Sequence, residues 1–191
     1  STYYLRHIKE RTGEYWTNHF NTIGLVGMNE ACLNFLGKDV GSPEGLAFAL
    51  EVMHFLRRLM VKFQEETGHF YNLEATPAEG TSYRLAKLDK ARYPEIITAG
   101  KEEPLYTNSS QLPVEYTDDI FECCDLQDEL QSLYTGGTVQ HLYLGERIED
   151  IEVCKELIKN IFDKYKMPYI SITPTFSICQ EHGYIAGEHF T

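Results

Sequence analysis

Short apolar runs of strand length alternate along this chain with longer segments of helical period, and no other feature constrains the fold as strongly. Residues 22–27, 70–75, 105–109, 138–144 and 169–173 read as strands. Between them, Asn29 to Leu36 has the pattern of a short helix. Ser42-Pro43-Glu44 then supplies an N-cap, a first-turn proline and an early carboxylate for a long helix ending near Thr67-Gly68. Apolar residues from Leu46 to Phe63 cover most of that helix's circumference, so burial on most sides is expected. Further helices are expected from Gly80 to Ala91, from Thr117 to before Gly136, and from Glu149 to Lys164. The last of these has Ile151, Cys154, Ile158 and Ile161 on one stripe. Strands joined by helical crossovers predict an α/β fold with a parallel sheet and ligands beyond the carboxyl ends of its strands. Five strands are too few to close a barrel comfortably, so half of one is expected.

The length of 191 residues suits one domain with a substantial core, and 13 Tyr and 10 Phe supply apolar area that a disordered chain lacks. A net charge of −12 argues against a nucleic-acid-binding surface, which needs clustered Lys and Arg. No apolar run approaches the roughly 18 to 20 residues that span a bilayer, so no membrane partner is expected. The start, Ser1 to Arg6, lacks the pattern of a signal peptide. The five cysteines are odd in number and irregularly spaced, which speaks against a secreted disulfide framework and for a reducing cytoplasm.

Several segments have the residue types that chemistry needs. In Asn72-Leu73-Glu74-Ala75-Thr76-Pro77-Ala78-Glu79-Gly80-Thr81-Ser82, a strand passes through a loop into a helix start. Free amides and hydroxyls there, assisted by the helix dipole, suit phosphate oxygens, with Arg84 or Lys87 nearby to add charge. A plain N-cap by Thr81 or Ser82 is the competing reading. Asn29 falls where strand gives way to helix, and its amide both donates and accepts, which suits a ribose hydroxyl or formate as well as a helix cap. Glu30 is a second polar candidate at a sugar. Asn108, Ser109 and Ser110 follow a strand and suit a base or sugar, or simply a polar loop; Thr173 and Thr175 end the last strand on the presumed ligand side. His141 fits a core histidine as readily as an active-site group. Cys32 and Cys154 read as core, and acidic neighbours are expected to raise the thiol pKa values of Cys123 and Cys124. Cys179 and His182 have the spacing of half a zinc site.

Long stretches resemble anaerobic (class III) ribonucleotide reductases, and they occur in the family's order. They are IGLVGMNEACLNFLG (23–37), NLEATPAEGTSYRLAKLDK (72–90), YTNSSQLPV (106–114), LYTGGTVQHLYLGE (133–146) and PYISITPTFSICQEHGYIAGEHFT (168–191). The resemblance implies a ten-stranded α/β barrel built from two half-barrels around a finger loop with a cysteine at its tip. It implies that residues 1–178 supply the second half-barrel, after the finger loop, and that 179–191 begin a zinc-binding and glycyl radical segment cut short here. In the family a glycyl radical, installed by an iron–sulfur activase that uses S-adenosylmethionine, drives reduction of a ribonucleoside triphosphate to the 2′-deoxy form. An Asn at the place of Asn29 accompanies formate as reductant. By the same resemblance, Thr76, Ala78, Glu79, Gly80, Thr81 and Ser82 face the substrate's phosphates, and Cys179 and His182 begin the zinc site. The full-length enzyme is then a homodimer and this piece alone inactive. The alternatives are a pyruvate formate-lyase-like radical enzyme and a non-catalytic nucleotide-binding module.

Overall fold

A computed structural model describes residues 2–100, 103–144, 148–174, 176–179 and 183–186, with backbone alone for 174, 176–179 and 183–186. After a 3-10 turn (Tyr3–Leu5), the elements are α1 (Arg6–Thr12), β1 (Phe20–Leu25), α2 (Met28–Leu36), α3 (Pro43–Thr67), β2 (Phe70–Ala75), α4 (Glu79–Arg92) and α5 (Ile120–Ser132). Then follow β3 (Gln140–Leu144), α6 (Ile151–Lys164), β4 (Ile170–Pro174), β5 (Phe176–Cys179) and β6 (Gly183–Ala186). No helix among the described residues is long and apolar enough to cross a membrane.

Helix boundaries follow local chemistry. Ser42 caps α3, its hydroxyl accepting from Gly45 N at 3.1 Å, and Gly68 stops it at φ 71°. Asp119 and Asp150 cap α5 and α6 through their carboxylates. Gly27 and Gly37, both at left-handed φ, bracket α2.

β1 and β2 pair in parallel from Phe20↔Phe70 to Leu25↔Ala75, and β3 and β4 do so from Gln140↔Ile170 to Leu144↔Pro174. The segment leading into β3 lies along the other edge of β2. Thr135 N and Gly136 N donate to Leu73 O, Ala75 N donates to Gly137 O, and Glu74 bridges Gly137 in parallel. The parallel α/β expectation therefore holds at the level of strand pairs. A continuous five-stranded half-barrel is not formed by the described residues, which show two parallel pairs joined by that bridge.

Two further expectations are corrected. Residues 105–109 form no strand; they make only isolated bridges, Ala99↔Leu105 and Val26↔Asn108, and Ser109 turns at φ 43° out of the extended region. Beyond β4, β5 and β6 form an antiparallel hairpin where a tail without strands was expected.

Packing divides into two clusters. Met28, Cys32, Val40, Ala49, Met53, Leu73 and Leu130 centre the first, between α2, α3, β2 and α5; Cys124, Leu142, Ile161, Tyr165 and Met167 centre the second, under α5, β3 and α6. α3 is buried only along Gly45, Ala49, Met53 and Met60, while Phe55 and Val61 are exposed, because no described element packs on its far side. The stripe on α6 is likewise half met: Ile161 is fully buried, but Ile151 is 70% exposed.

Candidate functional site

The parallel pair β1–β2 ends at Leu25 and Ala75, and the polar candidates gather just beyond those ends. Close approach is built in at Gly24, where a Cβ would fall 2.0 Å from Thr76 Oγ1, so the Thr76 side chain lies across bare backbone. Gly27 plays a similar part against the Tyr106 ring, whose Cβ would be 3.3 Å from an added methyl.

α4 begins without a side-chain cap. Its N-cap is Ala78, whose carbonyl accepts from Thr81 N at 2.7 Å and Ser82 N at 3.3 Å. Neither Thr81 nor Ser82 caps the helix by its hydroxyl, so the plain-cap reading of those two residues does not describe this loop. Glu79, Gly80 and Thr81 are exposed, Thr76 is half-buried and Ala78 is buried. Glu79 sits at φ 35°, a conformation that favours glycine, and open space surrounds the Gly80 Cα. Ser82 differs from the rest of the loop: it is buried, its Oγ donates to Tyr106 O at 2.6 Å, and it accepts from Tyr106 N at 2.9 Å. Its hydroxyl is therefore spent on the 106–110 loop.

That loop is the centre of the constellation. Gly27 N donates to Thr107 O at 2.9 Å and Met28 N to Ser109 O at 3.0 Å, which fastens it to the start of α2. Tyr106 OH donates to Asp89 Oδ2 of α4 at 2.7 Å, and burial, then Asp89, pushes the phenol's ionisation above its ordinary range. Tyr134 OH donates to Ser110 Oγ at 2.9 Å. Asn108 is exposed beside Val26, while the hydroxyl oxygen of Ser109 is buried without a hydrogen-bond partner among the described residues.

Asn29, 3% exposed, occupies the first turn of α2. Its Oδ1 accepts from Val40 N at 3.2 Å and its Nδ2 donates to Glu30 Oε1 at 3.0 Å. The cap of α2 is Gly27, so Asn29 lies inside the helix. The carboxylate of Glu30, 1% exposed, points into the same knot of residues. Glu30 stands in the sequence only as a second polar candidate, and Tyr106, Thr107 and Asp89 are not among the candidates read from it. A carboxylate between Met28 and Cys32 on a short apolar helix was the available signal.

Elsewhere the candidates stand apart. Thr173 is exposed on β4 opposite Tyr143. His141 Nδ1 shares a hydrogen bond with Ser171 Oγ at 2.7 Å across β3–β4, a partner that suits a structural histidine. Thr175 and His182 lie outside the described residues, and Cys179 ends β5. No group of three His, Cys, Asp or Glu able to hold a metal occurs among the described residues. One thiol and one imidazole make half of a tetrahedral zinc set, so Cys179 and His182 by themselves do not complete one. The thiols of Cys32 and Cys123 are pushed up to about 11 and that of Cys124 to about 12, by burial first. Acidic neighbours, expected to be the cause at Cys123 and Cys124, add less.

Parallel pairing of β1 with β2 and of β3 with β4, with helices between them, defines an α/β protein. The family model for anaerobic ribonucleoside-triphosphate reductase matches residues 1–191, and the chain belongs to that family. The anaerobic ribonucleoside-triphosphate reductase of Escherichia coli is 27% identical over 168 residues, covering 85% of this chain and 23% of the relative. That of enterobacteria phage T4 is 29% identical over 126 residues, 65% of this chain and 19% of the relative. The crystal structure of the Thermotoga maritima anaerobic ribonucleotide reductase with glycerol in the active site superposes at a TM-score of 0.71. It is 25% identical and covers 89% of this chain and 28% of that one. The chain spans between 19% and 28% of the length of these relatives. Family membership favours the reductase over the pyruvate formate-lyase-like reading.

Proposed function

We propose that this chain supplies the substrate-facing part of an anaerobic ribonucleotide reductase, in which a ribonucleoside triphosphate and formate meet at the carboxyl ends of β1 and β2. The supporting observation is the uncapped, exposed start of α4 directly beyond β2, which Ser82 ties to the Tyr106–Ser110 loop and Glu30 ties onward to Asn29. An uncapped helix start attracts anions through its free amides and dipole. The phosphates would meet Thr76, Ala78, Gly80 and Thr81. Glu79 would contribute its backbone, since its carboxylate repels phosphate, and Ser82 would hold the loop from behind. Asn108 and Thr173 would border the base and sugar.

Asn29 keeps one amide N–H and one carbonyl lone pair beyond the two bonds it already makes, enough to orient formate or a ribose hydroxyl. The overall reaction is balanced: ribonucleoside triphosphate, formate and a proton give the 2′-deoxynucleotide, carbon dioxide and water. The glycyl radical, placed by the family on a loop outside this chain and installed by a radical activase, supplies the one-electron chemistry. The rest of the barrel, the zinc segment begun by Cys179 and His182, and a homodimeric assembly complete the enzyme.

The test is anaerobic turnover of CTP with formate by the activated full-length protein, comparing wild type with Asn29→Ala and Thr76→Val. Asn29→Ala is expected to lower kcat by about 100-fold or more, whereas Thr76→Val raises KM for CTP by about tenfold with a smaller effect on kcat. Undiminished turnover in Asn29→Ala removes Asn29 from the mechanism. Binding of CTP without turnover in the activated wild type would favour a non-catalytic nucleotide-binding module.

A further inference from the structure

The carboxylate of Glu30 accepts three hydrogen bonds and faces no cation among the described residues. Thr107 N donates to Oε2 at 2.8 Å, and Thr107 Oγ1 and Asn29 Nδ2 donate to Oε1 at 2.7 and 3.0 Å. Burying a carboxylate without a cation costs free energy that its hydrogen bonds only offset. A neutral residue would tie α2 to the Tyr106–Ser110 loop at lower cost.

What a carboxylate does that a neutral amide cannot is accept on every side. Asn29 has its oxygen toward Val40 N and its nitrogen toward Glu30, and a flipped amide would set carbonyl against carboxylate and N–H against N–H. Glu30 thus selects one of two amide orientations. The same oxygen takes the Thr107 hydroxyl, so the orientation of Asn29 is tied to the loop that Ser82 fastens to the start of α4.

We propose that Glu30 is a positioning residue for Asn29, a carboxylate whose task is to fix which face of that amide meets the reactants and to register it against the Tyr106–Ser110 loop. The proposal rests on the reading of Asn29 as the group that orients formate or the ribose. In Glu30→Gln one of the two acceptor atoms becomes a donor. Either Thr107 N or Asn29 Nδ2 then meets an N–H, and relief on the Asn29 side requires the amide to flip away from Val40 N.

The experiment is a double-mutant cycle in the activated full-length protein, with kcat and the KM values for CTP and formate measured for Glu30→Gln, Asn29→Ala and the pair. Glu30→Gln is expected to lower kcat about 30-fold while KM for CTP stays within about threefold, and to cost under about threefold more when Asn29 is already Ala. Thr107→Val, which removes one donor to Glu30 but keeps the backbone N–H, is expected to lower kcat several-fold, and Thr107→Ser to restore it. A merely structural carboxylate would act equally on both backgrounds. Equal losses, or a Glu30→Gln enzyme within about threefold of wild type, overturn the proposal. If Glu30→Gln does not fold, as judged by circular dichroism and thermal midpoint, the Thr107 pair and its cycle with Asn29→Ala decide in the same way. If Asn29→Ala itself turns over normally, the reading of Asn29 has failed instead, a result distinct from a failure at Glu30.

Discussion

The carboxyl ends of β1 and β2 and the groove between α6 and β4 solve opposite problems. At the first, buried polar groups converge and are largely bonded within the chain: Asn29 and Glu30 to each other and to Val40 and Thr107, Ser82 to Tyr106, Ser110 to Tyr134. At the second, Leu144, Ile148, Cys154, Ile158, Phe162 and Tyr169 line an apolar groove of about 570 Å³, and Phe162 and Tyr169 are 48% and 61% exposed. Buried polar networks fix a conformation because a half-satisfied network costs more than none. Exposed apolar side chains fix little. The first region should therefore resist rearrangement and the second tolerate change.

The largest expected contrast is in stability. Leu73, fully buried on β2, should cost about 2–5 kcal/mol when cut to Ala, whereas Phe162→Ala should cost under about 1 kcal/mol because much of its ring already meets water. Unfolding of the full-length protein in urea measures both. Equal losses would mean that other parts of the full-length protein cover the groove, and the contrast would belong to this chain alone.

Next is Gly24. A methyl there meets Thr76 Oγ1 at 2.0 Å, so Gly24→Ala should cost about 1–3 kcal/mol and displace Thr76. Adding Thr76→Ala should recover most of that loss, since the obstacle is a side chain. A double variant as unstable as the single one would place the conflict in the backbone.

These two positions also show what was legible in the sequence. The alternation of period located β1, β2, α3, α4 and α6 to within a few residues, because strand pairing and helix capping are local and leave marks such as Ser42-Pro43 and Gly68. It did not reveal that residues 105–109 make only isolated bridges and turn at Ser109, since Ser109 at φ 43° is held by partners far along the chain. In the candidate site, the strand-to-helix junctions that carry the 76–82 loop and Asn29 were legible from residue types, while the roles given to those residues are proposals. The Glu30–Thr107 contact was not: it joins residues separated by 77 positions, and no local pattern encodes a bond of that span. The exposure of Ile151 and Phe55 was illegible for another reason, because an apolar stripe shows that a face seeks burial without showing what provides it.

Thiol chemistry gives a graded version of the comparison. Cys32 and Cys124 are buried and Cys154 is half-buried in the groove. Alkylation of the native protein near pH 8 should reach Cys154 well before Cys32 and Cys124, which are spared until unfolding, read by mass spectrometry of timed samples. Burial raises the folded-state values of Cys32 and Cys124 from 9.0 to about 11 and about 12, so their contribution to stability is present below about pH 9 and fades as pH climbs through those values. The urea midpoint should fall between pH 9 and pH 11, and less so in Cys124→Ala. A flat profile would show that these thiols ionise as freely in the fold as out of it.

The smallest effect is expected at the margin of the second region. Lys164 Nζ donates to Asp125 Oδ1 at 2.9 Å and to Tyr165 OH at 2.7 Å, while Tyr165 OH donates to Asp125 at 2.6 Å. Those hydrogen bonds, with Tyr165 first, hold the lysine above its ordinary range. Yet the Lys164 and Asp125 side chains are 56% and 57% exposed, and exposed ion pairs contribute about 0–1 kcal/mol. Lys164→Met should therefore leave the urea midpoint nearly unchanged, and raising the salt concentration should do as little to wild type. A loss above about 2 kcal/mol would be too large for a solvated pair. It would mean that another part of the full-length protein covers this corner.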